Sequence, residues 1–430
     1  MGKSKKAHFQ HFMNLNVRGL ELSATLAINE KSNKLRSEGK NIYKLGLGQS
    51  PFPVPESVVE ALRQNAHQKD YLPVKGLPKL REAITEFNLI TEKVQFEPEN
   101  IMIGPGSKEL IFLLQLVYYG DLIIPTPSWV SYSPQAKIIG RNVHWVQTKK
   151  ENQWRLTPEK LEEICESDPE RPRIVILNYP SNPTGYTYPL ERLKQLAQVA
   201  RKYRVILVSD EIYGMLHHNN KHVSIARFYP EGTIISSGLS KWCGAGGWRL
   251  GTFSFPEELS WLQNALAVVA SETFTSTSAP IQYAAIRAFQ MGDDIDLYLH
   301  HSRRILKTIA KNITHTLNNI YVDVQLPHGG FYIFPDFGYY KDKLAKKGVT
   351  SSYELCNKIL SETGVAMLPG SDFGRDQSEL TCRIAYVDFD GKRALEYADK
   401  HPDLGIGFMD EVSPNIKHAI EKLGNWLCDL

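Results

Sequence analysis

The chain has 430 residues, enough for two or three ordinary domains, and its 42% hydrophobic and 23% charged residues are the mix of a globular enzyme. Its 50 basic and 47 acidic side chains leave a net charge of +3, which offers no footing for nucleic acid or a membrane as partner. No apolar run is long enough to span a bilayer, the basic start (residues 1–6) lacks the apolar core of a secretion signal, and the scattered cysteines (Cys165, Cys243, Cys356, Cys382 and Cys428) form no CxxC pair, so a cytoplasmic protein with reduced thiols is expected.

Residues 1–48 read as an N-terminal arm that returns to the second domain. Beyond it, short apolar runs alternate with helical patterns, which suggests βαβ units. Strands are predicted at 101–103, 122–124, 174–177, 205–208 and 233–235, each rich in branched residues, as suits strands covered on both faces. Between two of them, 189–203 reads as an amphipathic helix with Leu190, Leu193, Leu196, Ala197 and Ala200 on one face. The Gly292-Asp293-Asp294 turn marks a boundary between a large domain (49–293) and a C-terminal domain (294–430) with long charged helices such as 298–317. The last helix is expected to start at Ser413 as N-cap, with Pro414 in its first turn, and to bury Ile416, Ile420, Leu423 and Leu427.

Open α/β sheets bind ligands at the carboxyl ends of their strands. The first predicted strand runs into Gly104-Pro105-Gly106-Ser107-Lys108 and then a helical pattern. That is the form of a phosphate cradle, with glycines for close approach and free N–H groups at a helix start, although an ordinary glycine turn reads the same way. The second ends in Pro125-Thr126-Pro127-Ser128-Trp129, where Trp129 is a candidate to stack on a flat ring or simply to pack. The third ends in Asn178-Tyr179-Pro180-Ser181-Asn182-Pro183-Thr184-Gly185, a specific turn that presents the Asn182 amide. The fourth ends in Ser209-Asp210-Glu211-Ile212-Tyr213, and a carboxylate there is costly to bury unless it is paired. The fifth ends in Ser236-Ser237-Gly238-Leu239-Ser240-Lys241, followed by a glycine-rich stretch to Arg249 with no acid between the two cations. Cations held together imply an anionic partner or a lysine whose pKa is pushed down.

Taken together, these ends describe one ligand with a phosphate, an aromatic ring bearing a basic nitrogen, and an aldehyde. A nucleotide-dependent oxidoreductase fits less well, because neither Gly46-Leu47-Gly48 nor Gly244-Ala245-Gly246 completes GxGxxG before a helix. No metal set or Ser–His–Asp arrangement stands out, and the adjacent pairs His217-His218 and His300-His301 read as loop or helix-surface residues.

At this point the sequence resembles the fold-type I, PLP-dependent class I aminotransferases over nearly its full length. The most specific match is 237–251, which is similar to that family's lysine motif and its "GWRLG" ending. Further landmarks are 178–185, 209–213, 127–132, Tyr71-Leu72-Pro73-Val74-Lys75-Gly76, Gly329-Gly330-Phe331-Tyr332 and Arg383-Ile384-Ala385-Tyr386. The resemblance implies an α/β fold: a large domain with a mostly parallel seven-stranded sheet flanked by helices, and a smaller α+β domain.

The resemblance also implies residue roles. Lys241 would form the Schiff base with pyridoxal 5′-phosphate (PLP) and carry the proton during transfer, and Asp210 would pair with the pyridine nitrogen. Asn182 and Tyr213 would bond the phenolic oxygen, and Trp129 would stack on the ring. The backbone at Ser107 and Lys108, together with Arg249, would hold the phosphate with either Ser237 or Ser240, and Tyr71 would reach it from the other subunit of a homodimer. Arg383 and Gly48 would bind the substrate carboxylate. The substrates would be amino acids and 2-oxo acids.

Leu22-Ser23-Ala24-Thr25-Leu26-Ala27 is similar to a signature of bacterial-type aspartate aminotransferases, with Thr25 reading a distal carboxylate. Leu114 stands where that subgroup often has a lysine, Gln49-Ser50-Pro51 replaces an acidic motif, and 391–412 is longer than usual. Carbon–sulfur lyase, decarboxylase, and neutral or aromatic aminotransferase chemistry on the same fold stay open.

Overall fold

A computed structural model describes residues 13–405 and 407–430, so the expectation for residues 1–6 lies outside the described residues. The strands are β1 (Tyr43–Lys44), β2 (Ile101–Gly104), β3 (Asp121–Thr126), β4 (Val143–Gln147), β5 (Arg173–Asn178) and β6 (Ile206–Asp210), then β7 (Thr233–Gly238), β8 (Gly251–Ser254), β9 (Tyr332–Ile333), β10 (Val365–Ala366), β11 (Leu368–Pro369) and β12 (Cys382–Ala385). Seven of them form the expected sheet, in the order β2-β8-β7-β6-β5-β3-β4. β8 runs antiparallel to both of its neighbours, and the other pairings are parallel.

The apolar runs explain the layers. Ile174, Ile176, Ile206 and Val208 pack on one face of the sheet, whereas Val175, Leu177 and Leu207 pack on the other. Each strand is therefore apolar at consecutive positions, as a doubly covered sheet requires. Helix Leu190–Lys202 covers one face with Leu193, Leu196, Ala197 and Ala200.

The antiparallel β8 decides where the lysine loop goes. The chain leaves β7, turns through 239–250 and returns beside both β7 and β2, with Gly251 in register with Gly238 and with Gly104. Glycine is required at that point: a Cβ on Gly251 would lie 2.0 Å from the Ser107 amide nitrogen. The loop carrying Lys241 and the turn before helix Ser107–Val117 are thereby brought edge to edge.

The rest of the chain forms a second layer. β12 lies between β11 and β9, and β1 of the arm pairs with β10. Helix Ser352–Thr363 is fixed at both ends, by a Ser351/Glu354 capping box and by Gly364 in the left-handed region. The final helix is Pro414–Cys428 with the expected buried stripe. Ser413 precedes it without capping it, because its hydroxyl turns to Met409 Sδ at 3.3 Å. His217 and His218 lie in a loop, as expected, but are buried under the 328–330 segment, and His301 is buried on its helix rather than at the surface. Among the described residues, no helix is long and apolar enough to cross a membrane.

Behind the lysine loop, Trp242 stacks on Phe87 (6.1 Å between centroids) and meets Phe289 edge-on (6.0 Å). All three rings are buried. Phe289→Ala should lower the unfolding free energy by about 3–5 kcal/mol. The check is the guanidinium midpoint of the purified variant, and an unchanged midpoint would mean that the cluster does not support the loop.

Candidate active site

Where the carboxyl ends of β5, β6 and β7 meet the arm and the second layer, the chain encloses a cavity of about 570 Å³. Its wall includes Thr25, Gly48, Ser107, Lys108, Trp129, Asn182, Asp210, Tyr213, Ser240, Lys241, Arg249 and Arg383, twelve of the candidate residues, brought together from positions 358 apart in sequence (383 − 25). Two candidates are elsewhere. Ser237 is paired with Thr252 inside the sheet, so Ser240 is the serine at the cavity. Tyr71 is 89% exposed and does not line the cavity of its own chain.

The charge balance of this wall is lopsided. Lys108, Lys241, Arg249 and Arg383 face a single carboxylate, Asp210, and none of the four cations forms an ion pair among the described residues. Lys241 Nζ donates to the Gly48 carbonyl at 2.8 Å and lies 5.7 Å from the Tyr213 ring centre. Loss of water, then the positive charges of Arg383 and Arg249, push the Lys241 ammonium down to about 8. Burial and Arg249 likewise lower Lys108.

Arg249 takes φ +56°, a strained conformation for a side-chain-bearing residue. It aims the guanidinium across to the carbonyls of Gly246 (3.0 Å) and Pro105 (3.2 Å). Gly106, at φ +92°, leaves it room: a Cβ there would lie 2.1 Å from Arg249 Nη2. Beside it starts helix Ser107–Val117, so the Arg249 guanidinium and a helix N-terminus meet at one spot, an arrangement suited to a phosphate.

Asp210, buried at the end of β6, accepts from Tyr132 Oη at 2.5 Å and lies 3.5 Å from Ser236 Oγ. Burial raises its pKa to about 6, against the pull of the Tyr132 hydrogen bond. Asn178 lies opposite Asp210 in the parallel register; its Nδ2 donates to the Asp210 carbonyl (2.9 Å) and its Oδ1 accepts the Asn182 N–H (2.7 Å). Tyr213 and Tyr332 hydroxyls are 2.8 Å apart, and Gly48 must lack a Cβ because one would lie 1.9 Å from the Tyr332 hydroxyl.

Arg383, on β12, is 1% exposed and lies between the rings of Tyr332 (4.8 Å) and Phe373 (5.1 Å). It donates to Asn182 Oδ1 at 3.0 Å and to the Gly46 carbonyl, while its Nε has no partner. A buried donor without a partner is a place for an incoming acceptor. Thr25 Oγ1 is in the same condition.

Tyr132, Asn178 and Tyr332 were not singled out for roles from sequence. Tyr332 falls in the Gly329–Tyr332 landmark, and Asn178 heads the 178–185 turn, but their contacts follow only from strand register for Asn178 and from the placement of distant loops for Tyr332. Leu114 proves the wrong position for a distal lysine, since it is buried in the core behind the helix. Lys108, expected to act through its backbone, also holds its ammonium 5.3 Å above the Trp129 ring.

The family described as aminotransferase class I and II matches residues 40–390. An aspartate aminotransferase of Geobacillus stearothermophilus is 34% identical over 388 residues, covering 86% of this chain and 93% of its own length. One from Bacillus sp. (strain YM-2) is 32% identical over 381 residues, with the same coverage of 86% and 93%. The solved structure of Thermus thermophilus aspartate aminotransferase with maleate superposes with a TM-score of 0.83 at 28% identity, over 97% of this chain and all of that one.

The cation crowding can be read without any ligand. In the apoprotein, acylation of Lys241 should rise with pH about a midpoint near 8. Arg383→Gln removes a positive neighbour, so the midpoint should move up, towards the ordinary lysine value. Peptide mass mapping across pH measures both, and a midpoint that stays put would remove Arg383 as a cause.

Proposed function

We propose, from the premise that this chain belongs to the aminotransferase class I and II family, that it moves an amino group between amino acids and 2-oxo acids on PLP, with dicarboxylates such as aspartate and 2-oxoglutarate preferred. The observation that carries this reading is the cavity wall of four cations against one carboxylate, with Lys241 among the four. That donor set suits a cofactor with a phosphate and a carbonyl together with a substrate that bears carboxylates.

When bound, PLP supplies an electron sink that acidifies the substrate Cα–H. The chain's own residues do the rest. Lys241 would hold the cofactor through its carbonyl carbon and, once released from it, would take the substrate Cα proton and give it back; its lowered pKa in the cofactor-free chain suits that exchange. Asp210 would face the ring nitrogen and favour its protonated form. Asn182 and Tyr213 bond the phenolic oxygen, and Trp129 covers the ring. Arg249, Ser240 and the Ser107 and Lys108 amides hold the phosphate. Arg383, with Nε unpartnered, and Gly48 grip the α-carboxylate. The exposure of Tyr71 fits a homodimer in which each copy lends this tyrosine to the other's phosphate. In this reading residues 49–293 form the cofactor-binding body and the arm with 294–430 the closing domain of a cytoplasmic enzyme.

The dicarboxylate preference rests on two groups left over once the cofactor and α-carboxylate are accounted for: the Lys108 ammonium, without an acid partner, and the orphaned Thr25 hydroxyl. The Thermus structure carries maleate, a dicarboxylate. Leu26 and Leu47 on the same wall favour a neutral or aromatic side chain as the second reading.

A half-reaction screen tests this. Each amino acid is added to the loaded enzyme, and conversion of the lysine-bound cofactor's visible band is followed. Aspartate or glutamate should convert it to pyridoxamine phosphate, with ping-pong kinetics in turnover, and Lys241→Ala should lack the band. Lys108→Ser should raise KM for aspartate about 10-fold, the weight of one charge-assisted contact, while alanine changes little. Ammonia release in place of pyridoxamine phosphate would sink transamination, and an equal loss for both substrates would sink the role of Lys108.

A further inference from the structure

On the face of β6 turned away from the cavity lies a second buried cluster that the transfer reaction does not use: Glu92, Glu211 and His222, with ligand-type atoms all within 4.8 Å. The three side chains are no more than 9% exposed. Glu211 directly follows Asp210, so strand alternation turns its side chain to the opposite side. Glu211 Oε1 accepts from the hydroxyls of Ser209 (2.6 Å) and Ser224 (2.5 Å), and Oε2 lies 2.9 Å from His222 Nε2. Glu92, the last residue of helix Pro78–Glu92, places an otherwise unpartnered Oε2 3.9 Å from the same imidazole nitrogen and 3.9 Å from Arg227 Nη2.

We propose that His222 is a positioning residue for the active site: gripped between two buried carboxylates, it holds from behind the 209–213 segment that carries Asp210 and Tyr213 into the cavity. The inference rests on the roles given to those two residues above. The geometry supports it on three sides. Glu211 ties His222 to β6 through its own backbone, whose N–H donates to Ser236 of β7 at 2.9 Å. The loop that bears His222 begins at His217 and His218, and it pairs with the 328–330 segment leading to Tyr332. Glu92 brings in the helix that packs beneath the lysine loop through Phe87.

A divalent cation is the competing occupant, and the charges argue against it. Glu211 Oε1 already receives two hydroxyl donors, and the Arg227 guanidinium stands at Glu92, where a metal would meet a like charge. Burial pushes the Glu92 carboxyl up to about 7, and one proton held between Glu92 and His222 balances the cluster with Glu211 and Arg227. The groups facing His222 are Glu92, Glu211, Arg227, His217 and the Tyr179 ring at 5.4 Å. Burial lowers the affinity of His222 for its proton, but the two carboxylates outweigh burial and the net shift is upward.

The experiment compares wild type, His222→Gln, Glu211→Gln and the double variant as apoproteins, all well below their melting temperatures. PLP is titrated in by fluorescence, and turnover is measured on the loaded enzymes. Misaimed Asp210 and Tyr213 should weaken PLP about 10-fold and lower kcat by a similar factor with substrate KM nearly fixed. The double variant should lose no more than either single one, because the two groups act as a pair. Stability supplies a readout that needs no cofactor. Glu92 and His222 both hold a proton more tightly folded than unfolded, so the pair's contribution is present at pH ~6 and fades once pH has risen past both raised folded values. The stability gap between wild type and His222→Gln should therefore close as pH rises. If His222→Gln does not fold, Glu211→Gln carries the same affinity, turnover and stability tests. Unchanged PLP affinity and kcat, a gap that ignores pH, or one equivalent of bound zinc per chain would each overturn the assignment. Failure of wild type to take up PLP would instead overturn the functional reading, while the stability gap still decides the charge on His222.

Discussion

Four cations share the wall of one cavity with a single carboxylate, and much of the fold can be understood as the means of keeping them there. Two like unit charges 4 Å apart repel by about 4 kcal/mol at the effective dielectric of a protein's outer layers. Asp210 and Asp372 relieve that repulsion only in part and form no ion pair with the four cations among the described residues, so the elements bearing the cations must also be held by other forces. The sheet does this for Lys241 and Arg249, which hang from a loop closed by β7 and β8. β12 does it for Arg383, which is clamped between two rings and two acceptor groups. The depressed lysine pKa and the strained backbone of Arg249 are two outcomes of the same constraint. Both persist because the hydrophobic layers over the sheet leave the chain no cheaper arrangement.

The antiparallel strand β8 converts that constraint into a shape. In an all-parallel sheet the loop after β7 would lead to a crossover helix and away from the phosphate cradle. Here it returns at once, and the three glycines in register at 104, 238 and 251 let backbone meet backbone where side chains would collide. A cradle and a lysine loop that are far apart in sequence become two edges of one opening.

Much of this was legible in the sequence, and for a physical reason. Doubly covered strands must be apolar throughout, so β2, β3, β5, β6 and β7 announce themselves, and their ends then name the functional residues. β4 was missed because it is an edge strand, half exposed along its length, and β8 because Gly251-Thr252-Phe253-Ser254 has the composition of a turn. The contacts of Tyr132 and Asn178 with Asp210 were hidden for another reason: Asn178 depends on register between strands and Tyr132 on where helix Tyr132–Ile138 packs, and no local pattern encodes either. Lys108 was read only for its backbone, because sequence spacing along a helix start does not say which way a long side chain leans. The buried His217 and His218 looked like surface residues because nothing local reveals that a distant segment, 328–330, will cover them.

The two halves of the cavity are built differently, and this bears on what can vary. The groups assigned here to the cofactor come from strand ends of one continuous sheet, where a shift of one residue would break the register of several ladders at once. Those assigned to the substrate come from separate pieces: Thr25 from a helix of the arm, Gly48 from the strand-poor segment after it, Arg383 from β12, and Lys108 from the far side of the cradle. Each of these pieces is packed on the sheet rather than woven into it. Replacing Leu26, Gln49 or Lys108 therefore alters the wall without disturbing how Asp210 and Lys241 are held. That separation accounts for why the cofactor chemistry is readable from this chain while its preferred side chain is a matter of a few contacts, and why the decisive contacts lie on the arm and the helix start rather than at the lysine.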